Sequence, residues 1–410
     1  MSSGLTIFGS LVCFFAIATI LSGRMRQLAA AAAAAMYAID CITIDDICNR
    51  SKRRPQQAKI EGNADLCQLM KKSRTRIQDV ARVAGVHAST VSRVLNPRTR
   101  GLVSQAVAER IEALARKLGY SPDPAASGLR TRRSATIGVL IPDIANPVFP
   151  LILRGIETAL AAAGYTAIIA NTDNDAARAR AALEHLAARR IDGIIIATAT
   201  RRDALIVQCR SLGLPAVLVN RAADGHKVSA VINDDRAGIA LAVDHLVALG
   251  HRAIGHVAGP GNISTGAARR AGFLAAIAAH CLPAAPVALA ESYSIAAGER
   301  ACAQLLDKGR RISAIVAAND LLALGCYDEL RQRGLACPRE VSVTGFNDMA
   351  FADRFAPPLT SVRIPQRLLG AEAARLLLAQ IADPRAPEQE IRLRPELIVR
   401  GSSAAPAVGR

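Results

Sequence analysis

From Ala135 onward the chain alternates short runs of aliphatic and β-branched residues with longer amphipathic stretches, and that rhythm leaves few folds open. The short runs predict strands at Thr136–Ile141, Thr166–Ala170, Gly193–Ala197, Ala216–Val219, Ala253–Val257, Ile312–Val316 and Val341–Thr344. Between them the helical period predicts Val148–Ala163, Asp175–Arg189, Asp235–Leu249, Arg269–His280, Leu321–Arg333 and Gln366–Ile381. Strands that are apolar throughout are buried on both faces, as in parallel sheets whose crossovers are helices. Residues 134–410 number 277, enough for two doubly wound α/β lobes.

Upstream, Thr75–Asn96 reads TRIQDVARVAGVHASTVSRVLN. Ile77, Val80, Ala81 and Ala84 form the apolar stripe of a short helix, and Gly85 supplies a tight turn. A second short helix follows with Val91, Val94 and Leu95 inward. Its other face carries Ala88, Ser89, Ser92 and Arg93, small or hydrogen-bonding groups of the kind that meet base edges in a major groove. Ser104–Gly119 predicts a third helix, with Ser104 as N-cap, a stripe of Val107, Ile111, Leu114 and Leu118, and Gly119 ending it. The pattern is an all-α helix-turn-helix headpiece.

The charge sits where this reading needs it. Residues 71–133 hold 14 Lys/Arg against 4 Asp/Glu, so more than half of the net +17 lies in 63 residues, while residues 134–410 hold 30 against 25. Such clustering suits phosphate neutralisation. The nine cysteines show no CxxC pair or metal-ligand spacing and read as reduced thiols, mostly small core residues. Gly261–Gly266 (GNISTG) has phosphate-loop glycine spacing, but Ala267 stands where the lysine belongs. With no GxSxG or HExxH, and with His245, His251 and His256 read as helix-end and loop residues, no catalytic residue, cofactor or metal is expected.

Residues 1–69 do not share the pattern. Leu5–Leu21 is seventeen residues without a charge, followed by Arg24 and Arg26, which would suit a short membrane tether. Met70-Lys71-Lys72 just before the headpiece favours the simpler reading, an extension from an upstream start assignment that carries little order.

Three blocks, Ile77–Ala81 (IQDVA), Ala84–Val86 (AGV) and Thr90–Asn96 (TVSRVLN), closely resemble the lactose/galactose repressor family of bacterial transcription regulators. The resemblance continues through TIGVLIPDIANPVF (Thr136–Phe149), DGIII (Asp192–Ile196), VNR (Val219–Arg221), HLVALGHRAIGHVAG (His245–Gly259), AND (Ala318–Asp320), VSVTGFND (Val341–Asp348) and PPLTSVRIP (Pro357–Pro365). It implies a headpiece at 70–120, a hinge helix or linker at 121–134, and a two-lobed, periplasmic-binding-protein-like regulatory domain at 135–410 whose chain crosses between lobes three times. The implied protein is a cytoplasmic, nucleoid-associated, ligand-responsive repressor. Its implied partners are a near-palindromic double-stranded DNA operator, a small-molecule effector (a sugar, sugar acid or similar polar metabolite) and a second copy in a homodimer. A membrane-tethered regulator and a periplasmic solute-binding protein are the competing readings, and the basic headpiece argues against the second.

The resemblance also places residues. Ala88, Ser89, Ser92 and Arg93 would read bases; Lys71, Lys72, Arg74, Arg76, Thr90, Asn96, Arg98 and Arg100 would hold the DNA backbone. Leu129, before Arg130-Thr131, matches the leucine that wedges into the minor groove. Asp143, Asn146, Phe149, Asn220, Arg221, Thr265, Arg269, Asp320 and Asn347 would line the effector cleft. Nearer explanations exist for two: Asp320 as a helix cap and Asn146 as a turn before Pro147. The family pattern is departed from at His87, usually Ser and here expected to cap weakly; at Asn347, often Asp; and at Ala267, often Arg in sugar-specific members.

Overall fold

The apolar periods seen in the sequence become elements in a computed structural model, which describes residues 75–96, 99–120, 133–225, 227–307 and 312–407. The expectations for residues 1–69, for Lys71, Lys72, Arg74 and Arg98, and for the hinge residues 121–132 with Leu129 lie outside these. The chain divides into two units, between Tyr120 and Ser121.

In the first unit, α1 (Ile77–Ala84) and α2 (Ala88–Val94) meet at a turn where Gly85 takes φ 65°. That left-handed value suits glycine, and it lets the Val86 amide donate back to the Ala81 carbonyl at 3.1 Å. Val80, Ala81, Ala84, Val91 and Val94 are buried against α3 (Gln105–Lys117). Of the expected α3 stripe only Ile111 is fully buried. Ala108 and Ala115 take the innermost positions, while Val107, Leu114 and Leu118 flank them. Small residues sit where the three short helices approach most closely, so helical period alone named the larger neighbours. Ser104 stands at the N-cap, but its side chain makes no capping bond.

The second unit holds two six-stranded sheets. One has the order β11-β5-β4-β3-β1-β2 and the other β12-β10-β9-β8-β6-β7. The first contains β1 (Thr136–Ile141), β2 (Thr166–Asn171), β3 (Gly193–Ile196), β4 (Ala216–Val219), β5 (Ser229–Asn233) and β11 (Glu390–Leu393). The second contains β6 (Ile254–Ala258), β7 (Val287–Leu289), β8 (Ala314–Ala317), β9 (Ser342–Asn347), β10 (Thr360–Arg363) and β12 (Glu396–Ile398). All the ladders are parallel except β10–β12, which is antiparallel. The crossovers are α4 (Phe149–Ala162), α5 (Ala176–Ala188), α6 (Ala204–Ser211), α7 (Asp235–Ala248), α8 (Ser264–Ala279), α9 (Ile295–Leu306), α10 (Asp320–Gln332) and α11 (Gln366–Ala382). The chain passes between lobes after β5, after β10 and between β11 and β12, the three crossings the resemblance implied.

Helices α4 and α11 cross at Gly155 and Gly370, each facing backbone of the other helix. His256 is not a loop residue as expected but sits within β6, fully buried and stacked on Phe273 at 4.6 Å between ring centroids. Its Nδ1 bonds the Val316 carbonyl at 2.7 Å, and burial pulls its pKa down from 6.5 to about 4.

The unfolded chain takes up the His256 proton near pH 6.5 and the folded chain only near pH 4, so stability present above pH 6.5 is lost as the pH falls through that window. The loss should reach about 3 kcal/mol. Urea melts at pH 7 and pH 4.5 check it: in His256→Gln the drop between the two should shrink, and parallel curves for both proteins would refute the assignment.

Candidate nucleic-acid interface and ligand cleft

The headpiece presents α2 with Val91 and Val94 anchored inward and Ser89 and Arg93 exposed; Ala88 and Ser92 are half-buried beside them. The helix starts at Ala88, and His87 caps it through one long bond, in keeping with the weak cap expected. Its Nδ1 accepts from the Ser89 amide at 3.3 Å and lies 2.8 Å from Ser89 Oγ. A nitrogen that accepts from an amide carries no proton, so the Ser89 hydroxyl donates to it and turns its lone pairs outward. Among the described residues no hydrogen bond or ion pair engages the Arg93 guanidinium, although Thr99 Oγ1 ties the following loop to the Arg93 carbonyl at 3.0 Å.

The expected backbone contacts fare unequally. Arg76 is exposed at the head of α1, and Thr90 is half-buried on α2. Asn96 is half-buried at the end of α2. Arg100 is already answered: its Nε donates to Glu112 at 2.7 Å, which raises its own pKa and lowers that of the carboxyl. It braces the loop onto α3 instead of projecting a free charge.

In the second unit, one narrow cavity gathers Asn146, Phe149, Asn220, Arg221, Thr265, Arg269 and Asn347, joined by Val148, Tyr293 and Asn319. Its polar groups come from the end of β9 and the segments following β1, β4, β6, β7 and β8, the carboxyl ends of parallel strands where open α/β sheets bind ligands. Asn220 and Asn347 hold φ of 66° and 108°, left-handed backbone that asparagine tolerates better than most residues. Asn146 also shapes the turn, its Oδ1 accepting from the Val148 amide at 3.2 Å.

Two expected cleft residues do not line the cavity. The Asp143 carboxylate turns back to accept from the Ala145 amide at 2.9 Å. Asp320 is buried, accepting from Ser361 Oγ at 2.5 Å and the Met349 amide at 2.7 Å, and burial raises its pKa to about 7. Nor does Asp320 cap α10: that cap is Asn319, whose Oδ1 accepts from the Leu322 amide at 2.9 Å. Asn319 stands in the same AND tripeptide, one residue before the aspartate that the resemblance names. Tyr293 carried no signal, because it lies in an irregular segment after β7 and reaches the cavity only because Gly259 leaves room for its ring.

The two arginines differ. Arg269, 3% exposed, pairs with Asp235 at 2.8 Å, donates to the Ala318 carbonyl at 2.7 Å and lies 3.7 Å from the Phe346 ring centroid. Burial lowers its pKa, but Asp235 and Tyr293 raise it more. Arg221, 5% exposed, donates to the Thr198 carbonyl at 3.3 Å and Asn174 Oδ1 at 3.0 Å, both neutral. Burial, set against the pull of Tyr293, brings it down to about 10. It remains a cation at neutral pH.

Among the described residues no helix is long and apolar enough to cross a membrane, and no cluster of ligating side chains could hold a metal. Cys209, Cys302 and Cys326 are buried free thiols.

Comparison with known proteins agrees with both halves. The profile of bacterial regulatory proteins of the lacI family matches residues 76–123, and that of periplasmic binding proteins and sugar binding domain of LacI family matches residues 134–398. The regulator MalR of Streptomyces coelicolor is 35% identical over 346 residues, covering 81% of this chain and 97% of its own. The ribose operon repressor of Escherichia coli is 31% identical over 334 residues, covering 80% and 99%. Among solved structures, the Lac repressor dimer bound to operator and the anti-inducer ONPF aligns with a TM-score of 0.72 at 28% identity, covering 81% of this chain and all of that one. Matched in chain order from headpiece to regulatory unit, the chain belongs to the LacI family of bacterial regulatory proteins.

Proposed function

We propose that this protein is a cytoplasmic repressor which reads its operator through α2 and releases or holds it according to a small polar effector in the cavity between the lobes. The observation that carries the reading is the outward face of α2. Ala88, Ser89, Ser92 and Arg93 stand together on a helix whose other side is fixed by Val91 and Val94. Arg93 reads guanine and Ala88 packs on a thymine methyl. Ser89, its proton committed to His87, offers an acceptor to an exocyclic amino group, and Ser92 completes the set.

Arg76, Thr90 and Asn96, with Lys71, Lys72, Arg74 and Arg98, hold the phosphates and make binding steeply salt-dependent. Residues 70–120 form the headpiece, 121–134 the hinge that carries the Leu129 wedge, and 135–410 the effector-binding and dimerising part. A homodimer matches a near-palindromic operator by its own two-fold symmetry. Effector and operator are coupled through the paired hinges, typically by about 1–3 kcal/mol, and the coupling is reciprocal. The mechanism assigns no bond-making step to any side chain.

Selection of bound sequences from a random duplex pool tests the reading, a single enriched motif being the expected result. Arg93→Ala should then lose about 1–3 kcal/mol on that motif and relax its preference at one base pair. Equal loss on all sequences would make Arg93 a phosphate contact instead.

A further inference from the structure

The cavity carries a charge that no contacting carboxylate balances among the described residues. Its lining contains two arginines and four asparagines and no carboxylate. Arg269 is neutralised from behind by Asp235. Arg221 is not: it is nine-tenths buried, its hydrogen-bond acceptors are neutral, and among the described residues it forms no ion pair.

The nearby acids act on Arg221 at most through space, Asp203 favouring its charge without contacting it. Both Asp203 oxygens accept backbone amides at the head of α6, from Thr200 and Leu205, each at 2.9 Å. Asp320 is held by Ser361 and Met349. The polar surroundings of Arg221 are also incompletely satisfied. Thr198 Oγ1, on the residue whose carbonyl meets Arg221, and Asn233 Oδ1, on the residue that donates to Asn220, are buried without a hydrogen-bond partner.

A buried cation without a counter-charge is costly, and that cost falls when a ligand supplies the anion. We infer that the effector is a small polyhydroxylated carboxylate whose acid group is held by Arg221 and whose hydroxyls are held by the carboxamides of Asn146, Asn220, Asn319 and Asn347. One uncompensated cation matches one negative charge, which favours a carboxylate over a doubly charged phosphate ester. A planar guanidinium also pairs a planar carboxylate through two parallel bonds. The carboxamides each offer donors and an acceptor, the pattern that a chain of hydroxyls needs.

This inference rests on the effector-cleft reading above, and its test separates the two. The full chain is titrated calorimetrically with matched pairs: D-ribose and D-ribonate, D-glucose and D-gluconate, D-galactose and D-galactonate, and D-ribose 5-phosphate as the phosphate arm. At least one aldonate should bind about 100-fold more tightly than its parent aldose. In Arg221→Gln that preference should fall below about tenfold, while the ligand-free melting temperature stays level or rises because an unpaired buried charge has been removed.

Asn220→Asp, which brings a counter-charge into the cavity and also alters a hydroxyl-binding group, should weaken the same aldonate about tenfold more than it weakens the parent aldose. An aldose that binds as tightly as its acid, tighter binding of ribose 5-phosphate than of any carboxylate, or no binding by any aldonate would overturn the proposal. Sequence selection on the same preparation, without added ligand, reports on the regulator assignment independently.

Discussion

Asp235→Ala is expected to cost the regulatory unit about 3–5 kcal/mol, because it strands Arg269 without a counter-charge in the core. The pair is almost sealed from solvent, and Arg269 has no room to swing out, wedged between the Phe346 ring and the Ala318 carbonyl. Asp234, not Asp235, caps α7 through the Ala237 amide at 3.1 Å, so the helix keeps its cap and the loss isolates the charge. Burial outweighs the pull of Arg269 on the Asp235 carboxyl, whose pKa is raised. The pair therefore contributes little net stability as a unit, though each partner is essential while the other remains.

The double variant Asp235→Leu/Arg269→Met should accordingly recover most of the loss of the single one. Urea melts followed by far-UV circular dichroism make the comparison. A single variant within about 1 kcal/mol of the native protein would show that Arg269 finds water or another partner.

Gly370→Val comes next, with an expected loss of about 3 kcal/mol, the upper range of core overpacking. A Cβ at Gly370 would lie 2.0 Å from the Ile152 carbonyl oxygen, and one at Gly155 would lie 2.0 Å from the Arg367 carbonyl oxygen. The two glycines let α4 and α11 touch backbone to backbone, and no side-chain rotation can relieve a clash with main chain. Glycine within a helix ordinarily weakens it by about 1 kcal/mol, so the usual effect of adding a side chain is reversed here. Gly261, whose Cβ would meet nothing within 4 Å, provides the control: Gly261→Ala should leave the melt unchanged. Equal stability of both variants would mean that the helices slide apart at little cost.

The sequence showed elements where the period was long and the ends were punctuated. All six expected regulatory helices exist, and α1 and α2 fall where Gly85 and the apolar stripe put them. Strands β5, β7, β10, β11 and β12 were not anticipated, nor were α6 and α9; β7 and β12 are three residues long and draw their order from neighbouring strands. Helix α8 begins at Ser264, five residues before the expected start, because GNISTG reads as a loop. Position 266 lies inside that helix and is glycine because the Pro260 carbonyl leaves no room for a Cβ, a tertiary fact with no local signature.

The cleft was legible to the extent that its residues follow strands. Seven of the nine expected residues line one cavity, whereas Asp143 and Asp320 turn to backbone amides and a serine hydroxyl. A charged residue in a motif attracts attention, and its hydrogen bonds, invisible in one dimension, decide where it points.

The strand that completes the first sheet, β11, pairs with β5 across more than 150 intervening residues, and β12 closes the second sheet only two residues later. During synthesis, then, the early lobe leaves the ribosome with its β5 edge bare and without α11. It must wait there while the whole later lobe is translated. Exposed strand edges are templates for wrong pairing. A nascent chain stalled before residue 390 should therefore be held by chaperones or aggregate, and both lobes should reach protease resistance together only after β11 and β12 have emerged.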